Sequence, residues 1–246
     1  MSKFVCNKKP EFIINLHLPI KLMSAATRVV FNISSQNRLN YESDYNAVIK
    51  ESNDKFSTNS VLFSSFLIHN SYLDIYKIAI DCKDSINNNI HLTIPPLIEP
   101  FSEISSRKSD SIVCYFNIPQ KQYVYDIMSE FENIQFYVFL NKQFFPKKKY
   151  NNIHISVISN TFLEKRKHCI GVITSCGVET IYENFQLAIP MICIPSNPEQ
   201  IYNAFDHSRK IPGFKWTNSL SKNMILWLIN FKYTDLYWKK HREFIS

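Results

Sequence analysis

Glycine is nearly missing. Three of 246 residues are Gly, at positions 171, 177 and 213, against an average usage of about 7 %. So few leave little provision for backbone with positive φ. Two of them, Gly171 and Gly177, fall close together where a strand hands over to a helix. Paired cysteines are missing too. Cys6, Cys82, Cys114, Cys169, Cys176 and Cys193 form no C-x-x-C pair and have no histidine cluster beside them, which argues against a zinc site. The expectation is reduced core thiols, no metal and no cofactor. No uncharged apolar run reaches the length of roughly 18 residues that a membrane-spanning helix needs. The start, MSKFVCNKKPEF, has lysines but no long apolar segment behind them, so it does not read as a signal peptide. These absences predict a cytoplasmic chain without a transmembrane segment.

Hydrophobic residues make up 45 % of the chain and aromatics 14 %, enough for a real core. Charged residues are 20 % and mixed in sign, unlike a disordered tail. The formal charge of +7 favours anionic partners such as phosphate groups, nucleic acid or anionic lipid. A Lys- and Asn-rich composition accounts for the same excess.

Apolar runs set the organisation. Phe12–Leu16 reads as a buried strand, Pro19–Arg28 as a helix and Val29–Ile33 as a strand, a unit that normally closes as a right-handed parallel crossover. Asn40–Lys55 reads as helix, Val61–Phe66 and Asp74–Ile80 as strands, Asp84–Asn89 as a turn and Ile90–Ile94 as a strand stopped by Pro95-Pro96. The polar stretch Ile98–Asp110 is the linker candidate. It divides the chain into two α/β parts, residues 1–108 and residues 109–246, of which the resemblance described below makes the first a partial acceptor-side domain. Beyond it the alternation is regular. Strands are expected at Ser111–Asn117, Gln135–Leu140, Ile153–Ile158, Ile170–Thr174 and Met191–Ile194. Helices are expected at Lys121–Glu132, Thr161–His168, Gly177–Leu187, Glu199–Arg209, Lys222–Leu228 and Asp235–Phe244. Strands alternating with helices of this size imply an α/β fold with a Rossmann-like parallel sheet covered on both faces. The aromatic C-terminus (Trp216, Trp227, Tyr233, Tyr237, Trp238) is expected to pack across the crease between the two domains.

The chemistry concentrates in Cys169–Ala204. The strand Ile170–Thr174 ends in Ser175-Cys176-Gly177, and a helix begins at once. In open parallel sheets ligands bind beyond the carboxyl ends of strands. The free N–H groups and the dipole of a first helical turn suit a phosphate there. Glu179 and Glu183 are four apart and share one helix face. A fixed carboxylate suits a pair of ribose hydroxyls. A second strand and loop then lead to Glu199, Gln200 and Asn203, in the first turns of the next helix at the same sheet edge.

The series Gly177, Thr180, Glu183, then Ile189-Pro190, then Glu199-Gln200 and Asn203-Ala204 resembles the nucleotide-sugar-binding half of GT-B glycosyltransferases, the UDP-glycosyltransferase and MurG-like group. The resemblance covers roughly Ser109 to Gly213. It implies that Ser175, Cys176, Gly177 and Thr180 receive the diphosphate. It likewise implies that Glu183 holds the ribose, and that Glu199 and Gln200, with Asn203 beside them, hold the transferred sugar. The donor substrate would be a nucleotide-diphosphate sugar, such as a UDP-linked one, and the acceptor is unknown. A weaker resemblance reaches back over Pro10–Leu39. It sets His17 where the family has an acidic residue, as the candidate general base, and brings Gln36-Asn37-Arg38 near the cleft.

The family's opening strand and Gly-rich loop have no counterpart here. A catalytically degenerate or partner-dependent half-enzyme is therefore the alternative, with a partner chain completing the acceptor domain. Two residues depart from the pattern: Asn184 stands where Ala is usual, and Glu179 puts a like charge in the first helical turn. Such a contact costs on the order of 1 kcal/mol at 4 Å in water, so either Glu179 points away or donor binding weakens. A third class, nucleic-acid binding, rests on the +7 charge and the loop Lys147–Lys149, and predicts affinity that falls steeply with salt.

Overall fold

The computed structural model describes residues 12–16, 29–34, 50–51, 56, 76–80, 91–94 and 109–245, the last stretch without residue 158. The chain divides into two units, Met1–Leu97 and Ile98–Ser246. In the first, β1 (Phe12–Leu16), β2 (Val29–Ser34), β3 (Tyr76–Ile80) and β4 (His91–Ile94) form a four-stranded sheet in that order. Every neighbouring pair is parallel, with Phe12 opposite Val29, Phe31 opposite Tyr76 and Lys77 opposite His91. The first two strands thus pair as a parallel unit, as the sequence predicts. The expected helices Pro19–Arg28 and Asn40–Lys55 (beyond Lys50 and Glu51, which are helical), the strand Val61–Phe66, the turn Asp84–Asn89, Pro95-Pro96 and most of the linker lie outside the described residues.

The second unit contains β5 (Ser111–Tyr115), β6 (Gln135–Phe139), β7 (Ile153–Ser156), β8 (Gly171–Thr174), β9 (Met191–Cys193) and β10 (Phe214–Trp216). They form one six-stranded sheet in the order β10-β9-β8-β5-β6-β7, parallel throughout. This is the doubly wound arrangement. The chain runs outward from β5 through β6 to β7, then returns to the other side of β5 and runs outward again. The reversal between β5 and β8 opens a crevice at the carboxyl ends of those strands. Helices α1 (Gln122–Ser129), α2 (Asn160–His168), α3 (Val178–Gln186), α4 (Pro198–Lys210), α5 (Lys222–Ile229) and α6 (Asp235–Ile245) complete the unit.

Both faces of the sheet are covered, so its central strands carry apolar residues without alternation. Val113, Cys114, Val172, Ile173, Met191 and Ile192 are all 0 % exposed, and each such aliphatic contributes about 1.5–3 kcal/mol. On one face Cys114, Phe136, Val138, Ile173 and Ile192 meet Val124, Tyr125 and Met128 of α1 and Ile225 and Leu228 of α5 in a single core. On the other, the Phe162 ring of α2 lies 5.8 Å from Tyr115 and 5.2 Å from Phe139. Gly171 permits close helix–sheet packing, because a Cβ there would lie 2.4 Å from Cγ of Leu228.

Two expectations change. β10 is a strand that no apolar run announced. Its three residues, with exposed Lys215 in the middle, become a strand by pairing with β9. Within the second unit, Tyr237 of the aromatic C-terminus meets Phe185 of α3 at 6.1 Å, and Tyr233 donates to the Ala188 carbonyl at 3.1 Å. Positive φ is also not left to glycine, since Cys176 (72°) and Ala188 (54°) both adopt it.

Candidate functional site

The carboxyl edge of the six-stranded sheet gathers most of the predicted residues. β8 ends at Thr174 and the chain turns through Ser175, Cys176 and Gly177 into α3. Ser175 is 0 % exposed, and its hydroxyl donates to Oδ1 of Asn117 at 2.8 Å. That bond crosses from the loop after β5 to the turn after β8, at the point where strand order reverses. Cys176, also 0 % exposed, takes the left-handed conformation at the elbow. Its carbonyl accepts from the side-chain amide of Asn203 at 3.3 Å, which ties the turn to α4.

Gly177 is the N-cap of α3, with φ −68° and ψ 135° and no side chain capping the helix. α1 and α2 likewise begin without a side-chain cap, whereas Asn197 caps α4 and Ser221 caps α5. The first bond into the α3 backbone is from Ile181 N–H to the Gly177 carbonyl, so the N–H groups of Val178, Glu179 and Thr180 precede it. Among the described residues a Cβ on Gly177 would meet only Thr180 Oγ1, at 3.9 Å. The backbone does not require a glycine, and neither does packing among the described residues. What its presence keeps clear is the space in front of the helix start. Glu179 is exposed, so the repulsion foreseen from the sequence is met by a side chain in solvent.

Thr180 and Glu183 follow on α3, three apart and adjacent on its surface. Glu183 is half-buried, and its Oε2 accepts from Nη1 of Arg166 at 2.6 Å; the Arg166 side chain is 0 % exposed. The Arg166 guanidinium also lies 4.9 Å from the Phe162 ring centroid. Nothing in the sequence pattern announced Arg166, which stands in the charged run Glu164–His168 on α2.

On α4, Gln200 is buried and turned back into the preceding loop. Its Oε1 accepts from the Ser196 backbone N–H at 2.7 Å and from the Ser196 hydroxyl at 2.6 Å, while its own N–H donates to Oδ1 of Asn197 at 2.9 Å. This reciprocal arrangement is a relative of the capping box. Asn203 is 1 % exposed, and its Oδ1 has no partner among the described residues. Glu199 lies in the first turn of α4, and its side chain lies outside the described residues, as does His17 as a whole.

An open cleft of about 540 Å³ adjoins the crevice. Tyr115 and Asn117 line it from the end of β5, Leu140, Asn141 and Lys142 from beyond β6, and Val157 from beyond β7. Asn117 therefore belongs both to the cleft and to the bridge with Ser175. The sequence placed Asn117 at a strand end and gave it no role.

The basic loop is partly spoken for. Lys148 pairs with Asp126 at 3.0 Å, and hydrogen bonds from Lys148 and Tyr150 hold the Asp126 carboxyl below its ordinary range. Among the described residues no group of three His, Cys, Asp or Glu is assembled to hold a metal, and no helix is long and apolar enough to cross a membrane.

No protein-family model matches this chain, and no curated protein matches it in sequence. Solved structures do match. The calicheamicin glycosyltransferase CalG4 aligns with a TM-score of 0.63 at 9 % identity, over 99 % of this chain and 70 % of its own. MurG of Acinetobacter baumannii aligns at 0.56 and 9 % identity, over 99 % and 72 %. The glycosyltransferase SsfS6 of Streptomyces sp. SF2575 aligns at 0.58 and 10 % identity, over 99 % and 66 %. At such identities the likeness is one of fold: the chain has the α/β, Rossmann-like fold of these glycosyltransferases and spans part of their length.

Proposed function

We propose that the chain binds the nucleoside diphosphate of a nucleotide sugar at the carboxyl edge of the six-stranded sheet, and that it serves sugar transfer. The observation that carries this reading is the bare start of α3: an uncapped helix N-terminus at the reversal of strand order, fronted by a glycine that no packing among the described residues requires. Backbone N–H groups and the helix dipole favour an anion there. The diphosphate is assigned to Gly177–Thr180 and the ribose to Glu183, about 9 Å further along the helix at 1.5 Å per residue. The base is assigned to the cleft beside Tyr115 and Val157. SsfS6, of similar fold, is complexed with thymidine diphosphate, which supports the ligand class.

In the transfer step an acceptor hydroxyl oxygen bonds to the anomeric carbon as that carbon's bond to the β-phosphate oxygen breaks. The acceptor proton passes to a base, for which His17 is the proposal, since an ordinary pKa near 6.5 suits the task. The N–H groups of the helix start take up the charge of the leaving diphosphate. Glu199 is the proposed ligand of the transferred sugar.

A second reading is a module that binds the nucleotide without transfer, alone or completed by a partner chain. It is favoured by Gln200, whose acceptor oxygen is already used within its own loop, and by Asn203, which is buried in the turn.

Thermal melts with UDP, GDP, ADP and TDP, each alone and as its sugar conjugate, test both readings. A ligand at a hundredfold excess over its Kd raises stability by about 2.7 kcal/mol. Transfer predicts a selective shift that grows with the sugar attached. Equal shifts with and without the sugar support the module, and no shift with any nucleotide refutes both.

A further inference from the structure

The cleft beside the reversal of strand order has unequal walls. Asn117, Asn141 and Lys142 line it with polar groups. Phe116 and Leu140 are each 1 % exposed and belong to the core under α1 and α5, so little of either can meet a ligand. Two apolar side chains remain with surface to give: Val157, 48 % exposed, and half-buried Tyr115. Residues alternate along β5. Cys114 and Phe116 point to the α1 and α5 face, and Tyr115 points to the other, against Phe162 of α2. Among the described residues that line the cleft, Tyr115 is thus the one ring outside the core.

That ring is backed. The Phe162 ring lies 5.8 Å away at an interplanar angle of 54°. Phe162 is in turn held by Phe139 at 5.2 Å, edge on, and by the Arg166 guanidinium at 4.9 Å. An aromatic side chain leaning on a fixed wall gives up little freedom when a ligand settles on it. A nucleobase is flat and has π-faces whatever its edge carries, so contact with an aromatic ring tolerates any base.

Resting on the nucleotide-binding reading above, we propose that Tyr115 is the residue on which the base lies, and that its ring adds a similar increment of affinity for every nucleoside diphosphate the chain binds. Preference among bases then falls to the polar side chains of the cleft.

The test is titration calorimetry on the full chain with UDP, GDP, ADP and TDP, and with inorganic pyrophosphate as a probe without a base. The proteins are the native chain, Tyr115→Phe, Tyr115→Leu and Tyr115→Trp, each shown to be folded by circular dichroism. Tyr115→Phe keeps an aromatic face and should bind each nucleotide within about twofold of the native chain. Tyr115→Leu keeps apolar bulk without a ring. It should weaken every nucleotide that binds the native chain by about tenfold, while pyrophosphate stays within about twofold. Tyr115→Trp places a fluorophore in the wall. Its added emission should be quenched by nucleotide and left unchanged by pyrophosphate, and this arm stands if Tyr115→Leu fails to fold.

Several outcomes overturn the inference alone. They are unchanged nucleotide affinity in a folded Tyr115→Leu, equal weakening of pyrophosphate there, a loss confined to one base, a loss in Tyr115→Phe as large as in Tyr115→Leu, or added tryptophan emission that nucleotide leaves unchanged. Failure of all four nucleotides to bind the native chain removes the underlying reading and this inference with it.

Discussion

Gly177→Ala separates a glycine kept for folding from one kept for a ligand. Its φ of −68° and ψ of 135° are open to any residue, and among the described residues the new methyl would meet only Thr180 Oγ1 at 3.9 Å, an ordinary contact. Two small terms then oppose each other. Alanine restricts the unfolded chain and stabilises by about 0.4–1 kcal/mol. Alanine is also a poorer N-cap than glycine, by roughly 0.5–1 kcal/mol. The net change should stay within about 0.5 kcal/mol, or about 2 °C in Tm for a domain of this size. Binding is another matter. A methyl placed before the helix start holds phosphate oxygens away from the N–H groups, and forcing an extra carbon into a fitted site costs about 1–3 kcal/mol. That corresponds to roughly 5- to 150-fold in Kd.

The assay is calorimetry with the nucleotide that shifts the native melt most, paired with unliganded melts of the same proteins. Gly171→Ala and Gly213→Ala are the contrast. A Cβ at the first would fall 2.4 Å from Leu228, and at the second 2.8 Å from Tyr237 at a φ of +81°. Both should lower Tm sharply. Binding unchanged within twofold in a folded Gly177→Ala, with the larger Gly177→Val equally harmless, would refute the reasoning. So would loss of the fold in Gly177→Ala.

Ala188 closes α3 in a Schellman motif, with bonds from Ala188 N–H to the Phe185 carbonyl and from Ile189 N–H to the Asn184 carbonyl, at a φ of 54°. Ala188→Gly should raise stability by about 1 kcal/mol, read as a higher urea midpoint. Glu183→Ala removes the carboxylate paired with a fully buried arginine and should cost about 3–5 kcal/mol, whereas Glu183→Gln should melt much closer to the native chain. Tyr125 is 1 % exposed, and its hydroxyl has no partner among the described residues, so Tyr125→Phe should be neutral or stabilising by about 1 kcal/mol. Burial, with smaller contributions from Cys114 and Tyr150, pushes the Tyr125 phenol from 10.0 to about 12. A pKa raised by folding leaves stability whole below 10 and erodes it as pH climbs toward 12. Urea melts above pH 10 should show a shallower alkaline loss in Tyr125→Phe than in the native chain.

What was legible in the sequence, and what was not, follows from the range of the interaction involved. The strands β5, β8 and β9 were visible as apolar runs because burial on both faces leaves each of them nothing to alternate with, whereas β7 at the edge showed by its alternation. β10 was not, because a three-residue strand with exposed Lys215 in the middle is created by its neighbour β9 rather than by its own pattern. The turn Ser175–Gly177 stood out because glycine is so scarce here that each one calls for a reason, and among the described residues a packing reason exists for Gly171 and Gly213 only. Gln200 read in the sequence as a sugar ligand, and the structure turns its acceptor oxygen back onto the Ser196 N–H and hydroxyl, a local bond that the family pattern does not announce. Asn117 and Arg166 escaped notice for a common reason: their partners Ser175 and Glu183 lie 58 and 17 residues away, and neither spacing belongs to any helix or turn.

Those two unannounced residues change what the announced ones can do. Ser175 spends its hydroxyl proton on Asn117, so in the proposed diphosphate site its contribution is the position of the turn, and the proposed donors are backbone N–H groups and Thr180. Glu183 accepts from Arg166, so its carboxylate is oriented in the folded chain. The proposed site would bind with little rearrangement, because the turn and the carboxylate are each fixed by a bond that exists before the ligand does. The same bonds make the site part of the fold. A substitution at Ser175, Glu183 or Arg166 disturbs packing as well as chemistry, and Gly177 is the position where the two separate.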